Sequence, residues 1–302
     1  MKRHIKTIVA LAVLTVTVAV FTLYIKNHPE IIQQLGDTSP WRIALLVGLY
    51  GIWWGALAVI LQLSLKLYGK KMPVQENILL SAYSSLLNFF GPGQSGPGLR
   101  AIYLNKRHKL PVKSYIFATL IYYAFYAIIS AAMLFAGSRP WWQTVLLVAA
   151  AAGASTVVLR WYAKRSKLDS AECTPRAKWL GLLFVMTGVQ LAAQFIIYSV
   201  EISSVMPSLG VGQALAYTGA ANFSLFVALT PGAIGIREAF LVFSAHLHHI
   251  SNTIIVSANI IDRAVYLVFL GLLFVLVMSL HAGKKLRWRQ TVQTSTEDQT
   301  NS

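Results

Sequence analysis

Four charged residues stand close together in an otherwise apolar half of the chain: Arg237 and Glu238, then Asp262 and Arg263. A charge inside a membrane costs roughly 2.5 kcal/mol or more, so such residues are functional candidates by default. Two cations and two anions sum to zero, which allows pairs Arg237–Asp262 and Glu238–Arg263 or the crossed arrangement. The group is either a structural clamp or a switchable anion site. In the second case an arginine leaves its carboxylate to take a lipid phosphate in the bidentate geometry guanidinium favours. Gly235 would then open a half-helix whose free N–H groups and positive dipole end add to the attraction. Arg100, after Gly96-Pro97-Gly98, is either a third phosphate ligand or an ordinary cytoplasmic positive charge.

Other chemistries find less support. His246, His248 and His249 have a spacing that does not gather three ligands on one helical face, so neither a metal nor another cofactor is expected. One cysteine, Cys173, excludes a disulfide framework. There is no P-loop, no nucleophile elbow and no carboxylate pair placed for hydrolysis, so the chain is not expected to be an enzyme.

What must position the charges is a set of membrane helices. Of the 302 residues 56% are hydrophobic and only 12% charged, about half the charge a soluble domain carries. Stretches long enough to span a hydrocarbon core lie at about 7–25, 43–65, 115–136, 142–160, 179–200 and 253–280. The first has no small-residue cleavage site and reads as an uncleaved signal anchor. With the N-terminus inside, twenty-one of the 26 Lys and Arg fall in cytoplasmic segments. This asymmetry orients the chain in the inner (cytoplasmic) membrane with both termini cytoplasmic. It also accounts for the net charge of +16 through anionic headgroups, without nucleic acid. Trp41, Trp53, Trp54, Trp141 and Trp142 fit an interfacial belt, and Glu201, ending a span, is expected to be solvated. Residues 1–289 form one transmembrane domain, and the polar tail 290–302 is expected to be disordered and cytoplasmic.

Two segments fit no span. Ile78 to Phe90 is a short apolar arm that breaks at Gly91-Pro92-Gly93-Gln94-Ser95-Gly96-Pro97-Gly98, and Ala214 to Leu229 is another that breaks at Thr230-Pro231-Gly232-Ala233-Ile234-Gly235. Irregular backbone at membrane depth survives only against protein or a wet cavity, and paired broken segments point to a transport site. Pro92–Gly96 maps onto Pro231–Gly235 at an offset of 139, and Leu120–Tyr126 onto Ile260–Tyr266 at 140. The halves, roughly 76–136 and 213–280, thus read as a duplicated unit. Three crossings lie between them, so the two re-entrant hairpins, or kinked full spans, form an inverted repeat. The first half has Tyr122 and Tyr123 where the second has Asp262 and Arg263, so it keeps a cation without an acidic partner. Asn88 and Asn222, in the apolar arms, could bond the broken backbone or bind neighbouring helices.

The run Leu229-Thr230-Pro231-Gly232-Ala233-Ile234-Gly235-Ile236-Arg237-Glu238-Ala239, preceded by Asn222, resembles the lysylphosphatidylglycerol synthase transmembrane region, or flippase-like domain family. Asn88, Pro92, Gly93, Gly96 and Arg100-Ala101-Ile102-Tyr103-Leu104 resemble its first motif, and Asp262-Arg263 stands where an arginine is usual. Tyr122-Tyr123 departs from the family, where an arginine is common, which puts a symmetric two-site mechanism in doubt. The resemblance implies lipid translocation between leaflets. The tail after Arg289 is too short for the aminoacyl-transferring domain of the best-known members, so synthesis of aminoacylated lipid is not expected.

The resulting expectation is an all-α polytopic membrane protein: about six full spans plus two broken hairpins related as an inverted repeat. Its partners would be membrane lipids, with room for an envelope-synthesis enzyme or a second copy of the chain. Arg237, Arg263 and Arg100 would bind a headgroup phosphate, and Glu238 and Asp262 would hold the empty site neutral. Pro92, Gly93, Gly96, Pro231, Gly232 and Gly235 would allow the bends, with Asn88 and Asn222 as polar support. The alternatives are a small-solute or ion-coupled secondary transporter, and a non-transporting accessory of envelope lipid or glycan synthesis.

Overall fold

The structure is a computed structural model that describes residues 22–23, 26, 29, 36, 38–90, 95–136, 141–168, 177–226, 239–242 and 251–300. Among these residues every regular element is a helix. They are α1 (Pro40–Lys66), α2 (Val74–Phe90), α3 (Ser95–His108), α4 (Val112–Phe135), α5 (Trp141–Arg165), α6 (Ala177–Val205), α7 (Val211–Phe226) and α8 (Asn252–Thr300).

Five stretches are long and apolar enough to cross a membrane: Pro40–Lys66, Val112–Leu134, Thr144–Arg165, Ala177–Val205 and Ile254–Leu280. They coincide with five of the six spans expected from the sequence, and the chain is a multi-pass membrane protein. The sixth stretch, 7–25, lies almost wholly outside the described residues. Boundaries follow local chemistry. Pro40 opens α1, where a missing N–H costs nothing. At the other end Gly69 takes φ +66°, and Lys70 N–H reaches Leu65 O at 3.0 Å while Gly69 N–H reaches Lys66 O at 3.1 Å. That paired closure satisfies the last carbonyls of α1 and turns the chain toward α2. Where the sequence places a disordered tail at 290–302, the backbone stays helical to Thr300; no Pro or Gly follows Gly283 to end the helix.

α6 and α8 form the centre, packing against each other and against α1. One core joins Leu46 and Tyr50 of α1, Ile197, Tyr198 and Ile202 of α6, Tyr217 of α7 and the α8 face from Ile255 to Leu273. A second joins α1, α4 and α6 around Phe117, Ile121 and Leu183. α5 is peripheral: none of its apolar window is buried, and Val145, Leu146, Val157 and Trp161 face outward. α4 and α7 cross in close backbone contact. A Cβ on Gly219 would lie 2.4 Å from Leu134 N and 2.6 Å from its Cα, so only glycine lets these backbones meet.

α2 and α3 fold back on one another as a helix–break–helix pair. Ser95 Oγ donates to Leu87 O at 2.8 Å, and a Cβ on Gly96 would stand 2.6 Å from Ser84 O. At the open end of the pair, Glu76 accepts from Tyr103 Oη at 2.6 Å and meets His108 Nε2 at 2.9 Å. α2 has 17 residues and α3 has 14, so neither arm is longer than about 26 Å at 1.5 Å per residue. Both are short of a hydrocarbon core near 30 Å. α2 begins at Val74, four residues before the apolar arm seen in the sequence, and Asn77 within that extension ties it to α1 by donating to Ala58 O at 2.8 Å.

Candidate functional site

The interior carries a polar stripe along α6 from Thr187 to Glu201. Thr187, Gln190, Gln194, Tyr198 and Glu201 are spaced three or four residues apart, which places them on one helical face, and all five are buried. Fourteen residues at 1.5 Å each make the stripe about 21 Å long. Neighbouring helices meet it with hydroxyls. Tyr122 on α4 donates to Gln190 Oε1 at 3.0 Å, and Tyr126 one turn on is bonded to Gln194 Oε1 at 3.1 Å. Tyr126 also bonds Asn222 Oδ1 on α7 at 2.9 Å, and Gln194 Nε2 donates to Tyr198 Oη at 2.9 Å. Asn222 thus serves as glue between α7 and α4, one of the two roles its sequence position allowed.

The stripe ends in acid. Glu201 is 0% exposed, which corrects the expectation of a solvated residue at the close of a span. α6 continues to Val205, and α1 and α8 cover this face. Beside it, Tyr50 of α1 donates a hydrogen bond to Asp262 of α8, and the charges of Asp262 and Glu201 both act on the Tyr50 hydroxyl. Asp262 is 2% exposed and Arg263 8%. Of the four charges singled out in the sequence, these two are therefore buried on the central helix. Arg237 and Glu238 lie outside the described residues, as do Pro231, Gly232 and Gly235. Tyr50 is the member the sequence reading missed, and Glu201 the one it placed in water. The signal for Glu201 was its register with Gln190 and Gln194.

Arg100 sits on the α2–α3 pair, against α4. It is 9% exposed, so it is a buried cation and not a loop charge bathed in water. Its Nε has no hydrogen-bond partner, and among the described residues no carboxylate pairs with it. Its charge reaches Tyr122 and Tyr123 on α4, the positions that the sequence reading set against Asp262 and Arg263. Ser85 Oγ on α2 and Asn222 Nδ2 on α7 are further buried polar atoms without a partner among the described residues. Orphaned groups of this kind, rare in native interiors, mark places where water, an ion or a ligand completes the bonding. Gly96 holds the two arms together as described, Asn88 is exposed beside it, and Pro92 and Gly93 fall outside the described residues.

The lysylphosphatidylglycerol synthase TM region, as a protein family, matches residues 7–273. The chain belongs to that family. The match takes in α1 to α7 and the charged pair on α8, so polar stripe and buried arginine lie within the part that defines a lysylphosphatidylglycerol synthase TM region. No curated protein matches the chain. Membership ties it to membrane lipid synthesis or flipping. Among the described residues no group of three His, Cys, Asp or Glu could hold a metal ion.

Proposed function

We propose that the chain is a lipid translocase of the inner membrane, moving a polar or phosphate-bearing headgroup between leaflets while the tails stay in hydrocarbon. The observation that carries this reading is Arg100: a buried guanidinium with no carboxylate partner among the described residues, in a family tied to membrane lipid. An arginine desolvated to this degree is costly unless an anion compensates it, and a headgroup phosphate fits its fork. The α2–α3 pair is then a re-entrant hairpin entering from the cytoplasm, and the 213–249 segment its inverted counterpart entering from outside. Both termini are cytoplasmic. Arg100 takes the headgroup at the cytoplasmic end, the α6 stripe supplies hydrogen bonds across the midplane, and Arg263 with Arg237 receives it at the far end. Asp262 and Glu238 hold that end neutral when it is empty. No covalent chemistry is assigned to any residue.

The test is leaflet exchange of a fluorescent anionic phospholipid in proteoliposomes. Arg100→Ala should lower the exchange rate at least tenfold with the midpoint of thermal unfolding in detergent unchanged. Arg100→Lys, which keeps the charge but loses the fork, should retain part of the rate and guards against a folding artefact. Exchange at the wild-type rate in Arg100→Ala would overturn the reading. Uptake of a water-soluble anion without lipid exchange would favour the small-solute transporter instead.

A further inference from the structure

The ends of two spans meet at one tryptophan. Trp179 stands in the first turn of α6. The ammonium of Lys66, the last residue of α1, lies 4.7 Å from its ring centroid, and that of Lys178 lies 5.4 Å from it. From this arrangement we propose that the Lys66–Trp179–Lys178 corner is a binding site for an anionic lipid with two phosphates, of the cardiolipin class, held as a fixed ligand and not translocated. The site is separate from Arg100 and does not depend on the translocase reading. It also goes beyond the diffuse attraction of basic loops to anionic headgroups, because two spans fix the positions of its cations.

Cation–π attraction draws each lysine to the ring, yet it gathers two like charges around one point, where they repel. No carboxylate among the described residues pairs with either lysine. The corner is built on packed side chains. Trp179 and Tyr162 both pack on the core around Phe117 and Leu183, and the Tyr162 ring stacks on Phe117 at 6.4 Å. Tyr162 Oη donates to Lys113 O at 3.3 Å, and Lys113 Nζ donates to Lys167 O at 3.2 Å, which ties α5 to the start of α4. The last turn of α5, with Lys164 and Arg165, thereby reaches the same end of the molecule. Segment 160–178 holds six Lys and Arg against Asp169 and Glu172, so cations stay in excess whichever of them those two carboxylates meet.

Depth decides what kind of anion can answer them. α1 and α6 are both long and apolar enough to span, so their ends stand where hydrocarbon gives way to headgroups, the level at which tryptophan rings settle. Lys178, Leu182, Val185 and Val189 follow at i, i+4, i+7 and i+11 on one face of α6, and all four are exposed. A cation at the head of an outward apolar face suits a phosphate that carries acyl chains, and basic pockets between helix ends are where such headgroups bind. Two ammonium groups on one ring suit two phosphates. A glycerol-linked pair meets both lysines for the ordering of a single molecule, whereas two single-phosphate lipids would each have to be ordered separately.

The test is native mass spectrometry of the purified full chain after incubation in detergent with equal amounts of cardiolipin and phosphatidylglycerol. The wild type should retain one cardiolipin, preferred about fivefold or more over phosphatidylglycerol. Lys66→Gln with Lys178→Gln should lower that retention about fivefold or more, while Lys66→Arg with Lys178→Arg, which keeps the charges and their stacking on the ring, should preserve it. Lys106→Gln with Lys109→Gln removes two exposed cations elsewhere and should change nothing. Equal losses in the two glutamine pairs would overturn the site, since only the total basic charge would then matter. Loss in the arginine pair would overturn it as well. Equal retention of the two lipids would overturn the two-phosphate assignment. Displacement by an equal amount of inorganic pyrophosphate, which has two phosphates and no acyl chains, would overturn the assignment to a lipid.

Discussion

Tyr126 is bonded through a single hydroxyl to groups on two other helices, Gln194 on α6 and Asn222 on α7. Hydrogen bonds between membrane helices are each worth about 1 kcal/mol at most sites, so Tyr126→Phe should destabilise the fold by about 1–2 kcal/mol. The midpoint of thermal unfolding in detergent checks this, with Tyr123→Phe as a control in the same helix. A fall no larger than the control's would show that the bonds are not cooperative. At this scale the sequence was only partly legible. Asp262 and Arg263 stood out because a charge in an apolar run is rare, and both are buried as such residues must be. Arg100 was ambiguous because it lies close to exposed cations at the end of α3, Lys106 and Arg107. Only the packing of α3 against α2 and α4 shows that it is enclosed. Glu201 was misjudged because a carboxylate near the end of an apolar stretch looks solvated until the neighbouring helices are in place.

Among the elements, the α2–α3 pair has a clasp that responds to pH. Burial raises the tendency of Glu76 to hold a proton, but hydrogen bonds from Tyr103 and His108, with the charges of His108 and Arg107, outweigh it. The net effect holds its carboxyl below the usual range. A carboxyl held low in the folded state contributes stability above its ordinary pKa, and that contribution is lost as pH falls through the lowered value. Tyr103, pushed up to about 12 by burial and then by Glu76, keeps its proton throughout the neutral range. Hydrogen exchange of the α2 and α3 amides should therefore be slow near neutrality and accelerate on acidification below the carboxylate range. Glu76→Gln should flatten that dependence; an unchanged profile in the variant would show that the clasp is not the cause. The broken pair itself was legible from Gly and Pro spacing, because glycine and proline at 91–93 disfavour a continuous helix. That its arms touch at Gly96 and close at Glu76 was not, since both depend on contacts between residues far apart along the chain.

For the whole molecule, five of the spans follow from hydropathy alone because each helix must satisfy its backbone internally and face lipid with apolar side chains. Which helix is central does not follow from it: α5 and α8 are both apolar, yet α5 has none of its window buried and α8 has 56% of it buried. The proposed orientation is testable through the lone cysteine. Cys173 lies in the basic segment 160–178 assigned to the cytoplasm. A membrane-impermeant maleimide should leave it unlabelled in right-side-out vesicles and label it fully once they are permeabilised. Labelling of intact vesicles would reverse the topology. The contact of Gly219 with Leu134 has a further consequence, for the chain's mutational tolerance. At residue 219 the backbone of another helix fills the space that nineteen of the twenty amino acids would need for a side chain, so variation there is nearly forbidden. On the outward face of α5, Val157 could be exchanged for any apolar residue with little effect. Drift should therefore run fastest on α5 and be nearly frozen where α4 and α7 cross.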